Sequence, residues 1–190
     1  MYSLPLKSRE IEPFVWWTGL FSDEELDKLQ EAAKNAKDPG VIGSDLSLNK
    51  GIRRSNIMWL EVEEWGWAFQ KLGDLVTHVN DTYYRFELTG FGEKIQLSNY
   101  KSEDGGTYIW HQDFGGQGLP RKLSVVLQLS EPHEYEGGNL ELFTGGSPSV
   151  MQKERGRITI FPSWTLHQVT PVTKGERQSL VTWIYGPNFK

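Results

Sequence analysis

From residue 84 onward the chain is a succession of short apolar runs, each closed within a few residues by Gly, Pro, Asn or Glu. The runs fall at 84–89, 95–100, 107–113, 122–130, 139–144, 157–161, 167–172 and 177–185, and each reads as a strand. Eight short strands at this spacing predict a two-sheet sandwich or jelly roll, with strand order left open by periodicity. The N-terminal part reads differently. Ser22 stands before Asp23-Glu24-Glu25, with Glu25 three residues on, which predicts a capped helix that Asp38-Pro39-Gly40 stops. A second helix is expected from about Glu63 to Tyr83, with Leu72, Leu75, Val76 and Val79 on one stripe. These helices would cover one sheet. Residues 40–56 are polar and contain glycine, and read as an exposed loop. The expectation is a mainly β chain with N-terminal helices (α+β): one domain over 1–190, with helical support in 1–83 and a jelly-roll core in 84–186.

Composition narrows the chemistry. The chain has no cysteine, which excludes disulfides, zinc–thiolate sites and cysteine nucleophiles and fits a reducing compartment. In the first twenty residues Glu10 and Glu12 interrupt the apolar stretch, so no signal peptide is expected. No run is long enough to span a bilayer, and a cytoplasmic protein without a membrane partner is the expectation. A net charge of −5 argues against nucleic acid as a partner. The eight Trp residues read first as core filling. No segment announces an interface, so oligomeric state stays open.

The segment Tyr108-Ile109-Trp110-His111-Gln112-Asp113 carries the sharpest chemical signal. On a strand, residues two apart share a face, so His111 and Asp113 present an imidazole and a carboxylate together. A firmly held metal needs a third ligand. Of the four histidines, His78 lies within the second helix and His133 in the turn Glu131-Pro132-His133-Glu134. His167 opens a strand after Phe161-Pro162-Ser163-Trp164 and is the best third ligand. Two histidines and a carboxylate on one face form the facial triad of non-heme Fe(II) oxygenases, which leaves adjacent positions open for a bidentate co-substrate and dioxygen. A lone His-x-Asp pair is more often a surface pair, so the rest of the pattern carries weight. Phe114-Gly115-Gly116-Gln117-Gly118 after Asp113 suits a loop at the mouth of a site. A turn signal at Lys174-Gly175 predicts that His167 and Arg177 lie on adjacent strands of one hairpin. A five-carbon diacid chelating iron at one end would then reach the planar fork of Arg177 with the other. A surface arginine paired with Glu176 is the bland alternative.

Taken together, His111-x-Asp113, His167 and Arg177 resemble the 2-oxoglutarate/Fe(II)-dependent dioxygenases, specifically the prolyl 4-hydroxylase-like branch in its bacterial and phage form. The similarity covers about residues 50–186 and is strongest from Gly156 through Arg177. Gly137-Gly138-Asn139-Leu140 is similar to the family's GG-x-L strand entry. Ile52-Arg53-Arg54-Ser55 is similar to its Arg-Thr-Ser segment, near a mobile loop over the substrate. The resemblance implies a double-stranded β-helix, the cupin-like jelly roll, with helices on the major sheet. It implies Fe(II), with 2-oxoglutarate and O2 as co-substrates and ascorbate as an accessory. The activity it implies is oxidative decarboxylation to succinate and CO2 coupled to C–H hydroxylation. Position by position, His111, Asp113 and His167 match the iron ligands, and Arg177 the residue holding the distal 2-oxoglutarate carboxylate. Tyr100 resembles a tyrosine bonded to that carboxylate. Gln128 falls where relatives carry a contacting tyrosine, and Ser179 shares the Arg177 face. Tyr108, Arg121 and Trp183 match positions on the substrate side.

Proline as substrate enters only through the resemblance: a prolyl residue in a peptide or protein is the first expectation, and a free amino acid or other small molecule the alternative. A non-catalytic jelly-roll interaction module with a structural metal is the alternative from another class.

Overall fold

A computed structural model of the chain describes residues 11–40, 51–115 and 120–188. The start of the chain, most of the expected loop at 40–56, and Gly116-Gln117-Gly118 of the expected mouth loop lie outside the described residues.

The elements run β1 (Val15–Trp17), α1 (Asp23–Lys34), β2 (Asp38–Pro39), β3 (Arg53–Arg54), β4 (Asn56–Leu60) and α2 (Val62–Val79). Then come β5 (Gly90–Phe91), β6 (Ile95–Lys101), β7 (Thr107–His111), β8 (Arg121–Gln128), β9 (Tyr135–Gly137) and β10 (Leu140–Phe143). The last are β11 (Pro148–Val150), β12 (Ile158–Pro162), β13 (Leu166–Val169) and β14 (Val172–Tyr185). Among the described residues they form two sheets. The major sheet is ordered β1-β12-β8-β14-β6-β4-β2, with β5 and β9 also paired to β14, and the minor sheet is β11-β10-β13-β7-β3. This mostly β, two-sheet architecture with helices to one side is the expected jelly roll.

Side-chain alternation builds the two layers of the core. On the helix side of the major sheet, Leu97, Leu127, Ile158, Leu180 and Ile184 meet Leu26, Leu29 and Ala33 of α1 and Leu72, Leu75, Val76 and Val79 of α2 in one buried cluster. Each such Leu or Ile contributes roughly 1.5–3 kcal/mol by leaving water. The opposite parity of β14, namely Arg177, Ser179, Val181 and Trp183, faces the space between the sheets. α1 starts as expected: Ser22 Oγ accepts from the Glu25 N–H while the Glu25 carboxylate accepts from the Ser22 N–H. It ends earlier than expected, at Asn35, and Asp38-Pro39 pairs with β4 instead of terminating the helix. Among the described residues no helix is long and apolar enough to cross a membrane.

Two further expectations fail for definable reasons. Residues 84–89 are no strand. α2 runs into a π-type turn at Asn80–Tyr84, and Arg85 takes a left-handed φ of 53°. The Asn80 amide then both donates to the Phe86 carbonyl and accepts from its N–H, so a side chain satisfies backbone that a neighbouring strand would otherwise serve. Second, no hairpin joins His167 and Arg177. β13 belongs to the minor sheet, while Lys174-Gly175 lies within the long β14, where Gly175, with a φ of 71°, pairs with β9. The expected loop at 40–56 also contributes β3 to the minor sheet, paired with β7, and the first residue of β4 in the major one.

Candidate metal and co-substrate site

The register of the minor sheet places Leu142, His167 and His111 side by side across three strands, so both imidazoles point into the space between the sheets. Asp113 arrives by another route than strand alternation. β7 ends at His111, and the chain then bends so that the N–H groups of Asp113 and Phe114 both donate to the Ser163 carbonyl at 2.9 Å. Its carboxylate accepts from Ser124 Oγ on β8 at 2.7 Å, and Ser124 touches Ser163 Oγ at 3.0 Å. The carboxylate is thereby fastened to the major sheet while the histidines belong to the minor one. One ligand atom from each of His111, Asp113 and His167 lies within 4.8 Å of the others. The Nε2 atoms of His111 and His167 stand 3.8 and 3.4 Å from Asp113 oxygens.

The imidazoles are oriented for ligation. Nδ1 of His111 lies 2.7 Å from the Ile109 carbonyl and Nδ1 of His167 2.9 Å from that of Thr165. A carbonyl only accepts, so each Nδ1 carries a proton, and in the neutral ring this leaves the Nε2 lone pair toward Asp113. Burial pushes His111 down to about 4, which favours the neutral ligand form. Burial works against the Asp113 carboxylate, but the two imidazoles outweigh it and hold the group below its ordinary value. A neutral, a neutral and an anionic donor on one wall are what a divalent cation takes.

The cavity holding this cluster is also lined by Tyr100, Tyr108, Arg177, Ser179 and Trp183. Arg177 is 2% exposed, yet among the described residues no carboxylate pairs with it. Nη1 donates to Ser179 Oγ at 3.2 Å, the guanidinium sits 5.5 Å from the Tyr100 ring centre, and Nε has no partner. A buried, uncompensated guanidinium is costly unless an anion meets it. An acidic co-substrate spanning from the triad to Arg177 fits that demand. Gly138, with a φ of 58°, leaves room for Arg177: a Cβ there would come within 3.1 Å of its Cδ. Trp183 lines the cavity too, and its buried indole N–H is directed at the Asp113 carboxylate, which it helps to keep ionised. Tyr108 stacks on His111 with ring centres 3.5 Å apart, and burial pushes its phenol up to about 12.

Two expected site residues lie elsewhere. Gln128 does not line the triad cavity; its amide donates to the Tyr135 hydroxyl at 2.9 Å and to the Ser130 carbonyl, behind Arg177. The phenol that neighbours Arg177 there is Tyr135 itself, raised by burial despite that charge. Arg121 is taken up by Glu93, with Nε and Nη2 both at 2.7 Å, and stacks 3.9 Å over the Trp183 ring. It supports a wall of the cavity from outside. His78 and His133 are exposed. Sequence reasoning missed Ser124 and Ser163, which carry no motif. It also missed Tyr135, and Arg53 as a cavity residue, although Arg53 sat in the noted Arg-Arg-Ser segment.

The 2OG-Fe(II) oxygenase superfamily model matches residues 95–185, which contain the triad and Arg177. A PKHD-type hydroxylase of Teredinibacter turnerae is 32% identical over 120 residues, 60% of this chain and 53% of that protein. The chain thus matches about half the length of that curated relative. Among solved structures, a Trichoplax adhaerens prolyl hydroxylase in complex with a hypoxia inducible factor peptide fragment superposes with a TM-score of 0.76, at 19% identity over 92% of this chain and 84% of the other. A Pseudomonas putida prolyl-4-hydroxylase does so with a TM-score of 0.73, at 21% identity over 91% and 92%. These likenesses extend over the helices as well as the sheets. Two minor-sheet histidines, the carboxylate beside them, a buried arginine without a carboxylate partner among the described residues, and this matched model agree: residues 95–185 are similar to the 2OG-Fe(II) oxygenase superfamily, on a fold shared with the prolyl hydroxylases.

Proposed function

We propose that the chain is a hydroxylase of prolyl residues in a peptide or protein, dependent on Fe(II) and 2-oxoglutarate. The observation that carries this reading is the pairing, in one cavity, of the His111–Asp113–His167 cluster with a buried arginine that lacks a carboxylate. When bound, the metal with 2-oxoglutarate and O2 supplies oxidative decarboxylation to succinate and CO2, coupled to hydroxylation of a C–H bond. In the proposal His111 and His167 ligate through Nε2, and Asp113 adds the charge. Arg177 holds the distal carboxylate with Tyr100 and Ser179 beside it, while Gln128 acts one layer back, through Tyr135. Tyr108 and Trp183 form aromatic walls suited to a pyrrolidine ring, and Arg121 steadies Trp183 from its other face. The peptide bound to the Trichoplax enzyme supports an open approach to such a site. The proposal treats 1–190 as one domain, on the strength of the core shared by α1, α2 and the major sheet. It also places the protein in the cytoplasm, where Fe(II) and 2-oxoglutarate are at hand.

The test is anaerobic titration with Fe(II) and 2-oxoglutarate, followed by the weak visible charge-transfer absorption of the chelate, in the wild type and His167→Ala. A band in the wild type alone is expected; its absence from folded wild type would return the chain to a jelly-roll interaction module. Prolyl peptides and free amino acids are then compared as substrates, with ascorbate as the added reductant.

A further inference from the structure

A second guanidinium lines the triad cavity. Arg53, on β3, is 7% exposed, and its described hydrogen-bond partners are neutral: Nε donates to Ser55 Oγ at 2.8 Å and Nη2 to Ser98 Oγ at 3.3 Å. Among the described residues no carboxylate pairs with it. It is fixed from behind, since a Cβ on Gly40 would come within 2.7 Å of its Nε. Its guanidinium carbon lies 4.9 Å from the centre of the Tyr108 ring, whose own centre is 3.5 Å from that of the His111 imidazole. Arg53 therefore stands one aromatic ring away from the metal ligands, on the minor-sheet side, whereas Arg177 stands on the major sheet.

Charge balance gives this arginine a purpose, on the reading of the site proposed above. The metal's two charges and Arg177 are matched by Asp113 and the two carboxylates of 2-oxoglutarate. Among the described residues Arg53 is left as a buried charge with no anion, and a guanidinium so placed is costly unless one arrives. We infer that Arg53 receives a carboxylate of the substrate undergoing hydroxylation. Within the peptide reading the substrate residue is then one at a C-terminus, in preference to an internal one, and the same contact would serve the free amino or imino acid of the alternative reading. A carboxylate suits the planar fork and supplies the single missing charge.

The probe is protein loaded with Mn(II) and 2-oxoglutarate, which is inert to turnover and broadens the proton NMR lines of anything bound beside the metal. The standard L-amino acids are offered as free acids, N-acetyl acids and N-acetyl amides. At least one acid is expected to be broadened about tenfold more strongly than its amide, and Arg53→Gln to abolish that preference while 2-oxoglutarate is broadened as in the wild type. Equal broadening of acids and amides, or no broadened acid while 2-oxoglutarate is broadened, would overturn the inference. So would a preference that survives Arg53→Gln, or loss of 2-oxoglutarate in that variant with the acids retained. Failure of 2-oxoglutarate itself to broaden in the wild type would bring down the proposed function and this inference with it. The wild-type ratio of acid to amide decides the matter even if the variant does not fold.

Discussion

Replacing Arg177 by Met should move stability and co-substrate affinity in opposite directions. Arg177 is 2% exposed, and its described contacts are a 3.2 Å hydrogen bond to Ser179, a hydrogen bond with the Tyr135 phenol and the Tyr100 ring at 5.5 Å. A hydrogen bond to a charged group contributes roughly 1.5–3 kcal/mol, and a ring contact at that distance about 0.5–1 kcal/mol. Against them stands a desolvation penalty of several kcal/mol for one ion. Methionine keeps most of the apolar stem and removes the charge, so the ligand-free protein should be unchanged or stabilised by up to about 4 kcal/mol. At roughly 2–4 °C per kcal/mol for a chain of this size, the thermal midpoint should hold or rise by several degrees. Affinity for 2-oxoglutarate should fall by at least about 30-fold, since losing one partner of a buried charge pair costs about 2 kcal/mol or more. Calorimetric melting in chelator and anaerobic titration of 2-oxoglutarate measure the two halves. A variant that melts lower while keeping its affinity would refute the claim that Arg177 is held as an unmatched charge for the diacid.

Ser124→Ala removes the 2.7 Å hydrogen bond to Asp113 from the major sheet and should weaken metal binding about 10- to 100-fold with the fold intact; unchanged metal affinity would show that the backbone bonds to Ser163 suffice. Gly137→Ala puts a Cβ 2.1 Å from the Pro171 carbonyl oxygen at a φ of 70°, and should cost at least about 3 kcal/mol in chemical denaturation; a loss under about 1 kcal/mol would mean that β9 shifts freely. Asp113→Ala should leave the fold and abolish metal-dependent turnover, and activity retained by it would sink the triad.

Much of the candidate site was legible because it rests on rare residue types. With only four histidines, two of them on polar helix or turn segments, the candidate histidines nearly select themselves. The capping box at Ser22 and the Leu72–Val79 stripe were legible because their physics is local. Asp113 does join the two histidines, but by another route than the one expected. Strand alternation was invoked, whereas the Ser163 carbonyl and Ser124, distant in sequence, bring the carboxylate in. The hairpin drawn between His167 and Arg177 failed similarly, since a Lys-Gly turn signal does not say whether a chain reverses or continues through a bulge.

The mainly β jelly roll and the candidate residues His111, Asp113, His167 and Arg177 could be read along the chain, because periodicity and chemical identity are properties of neighbouring residues. Folding alone fastens the Asp113 carboxylate to the major sheet beside the two minor-sheet histidines, leaves Gln128 and Arg121 outside the cavity, and puts Arg53 inside it. Those facts depend on strand register and on which buried charges find partners, and both are set by contacts between residues far apart in the chain.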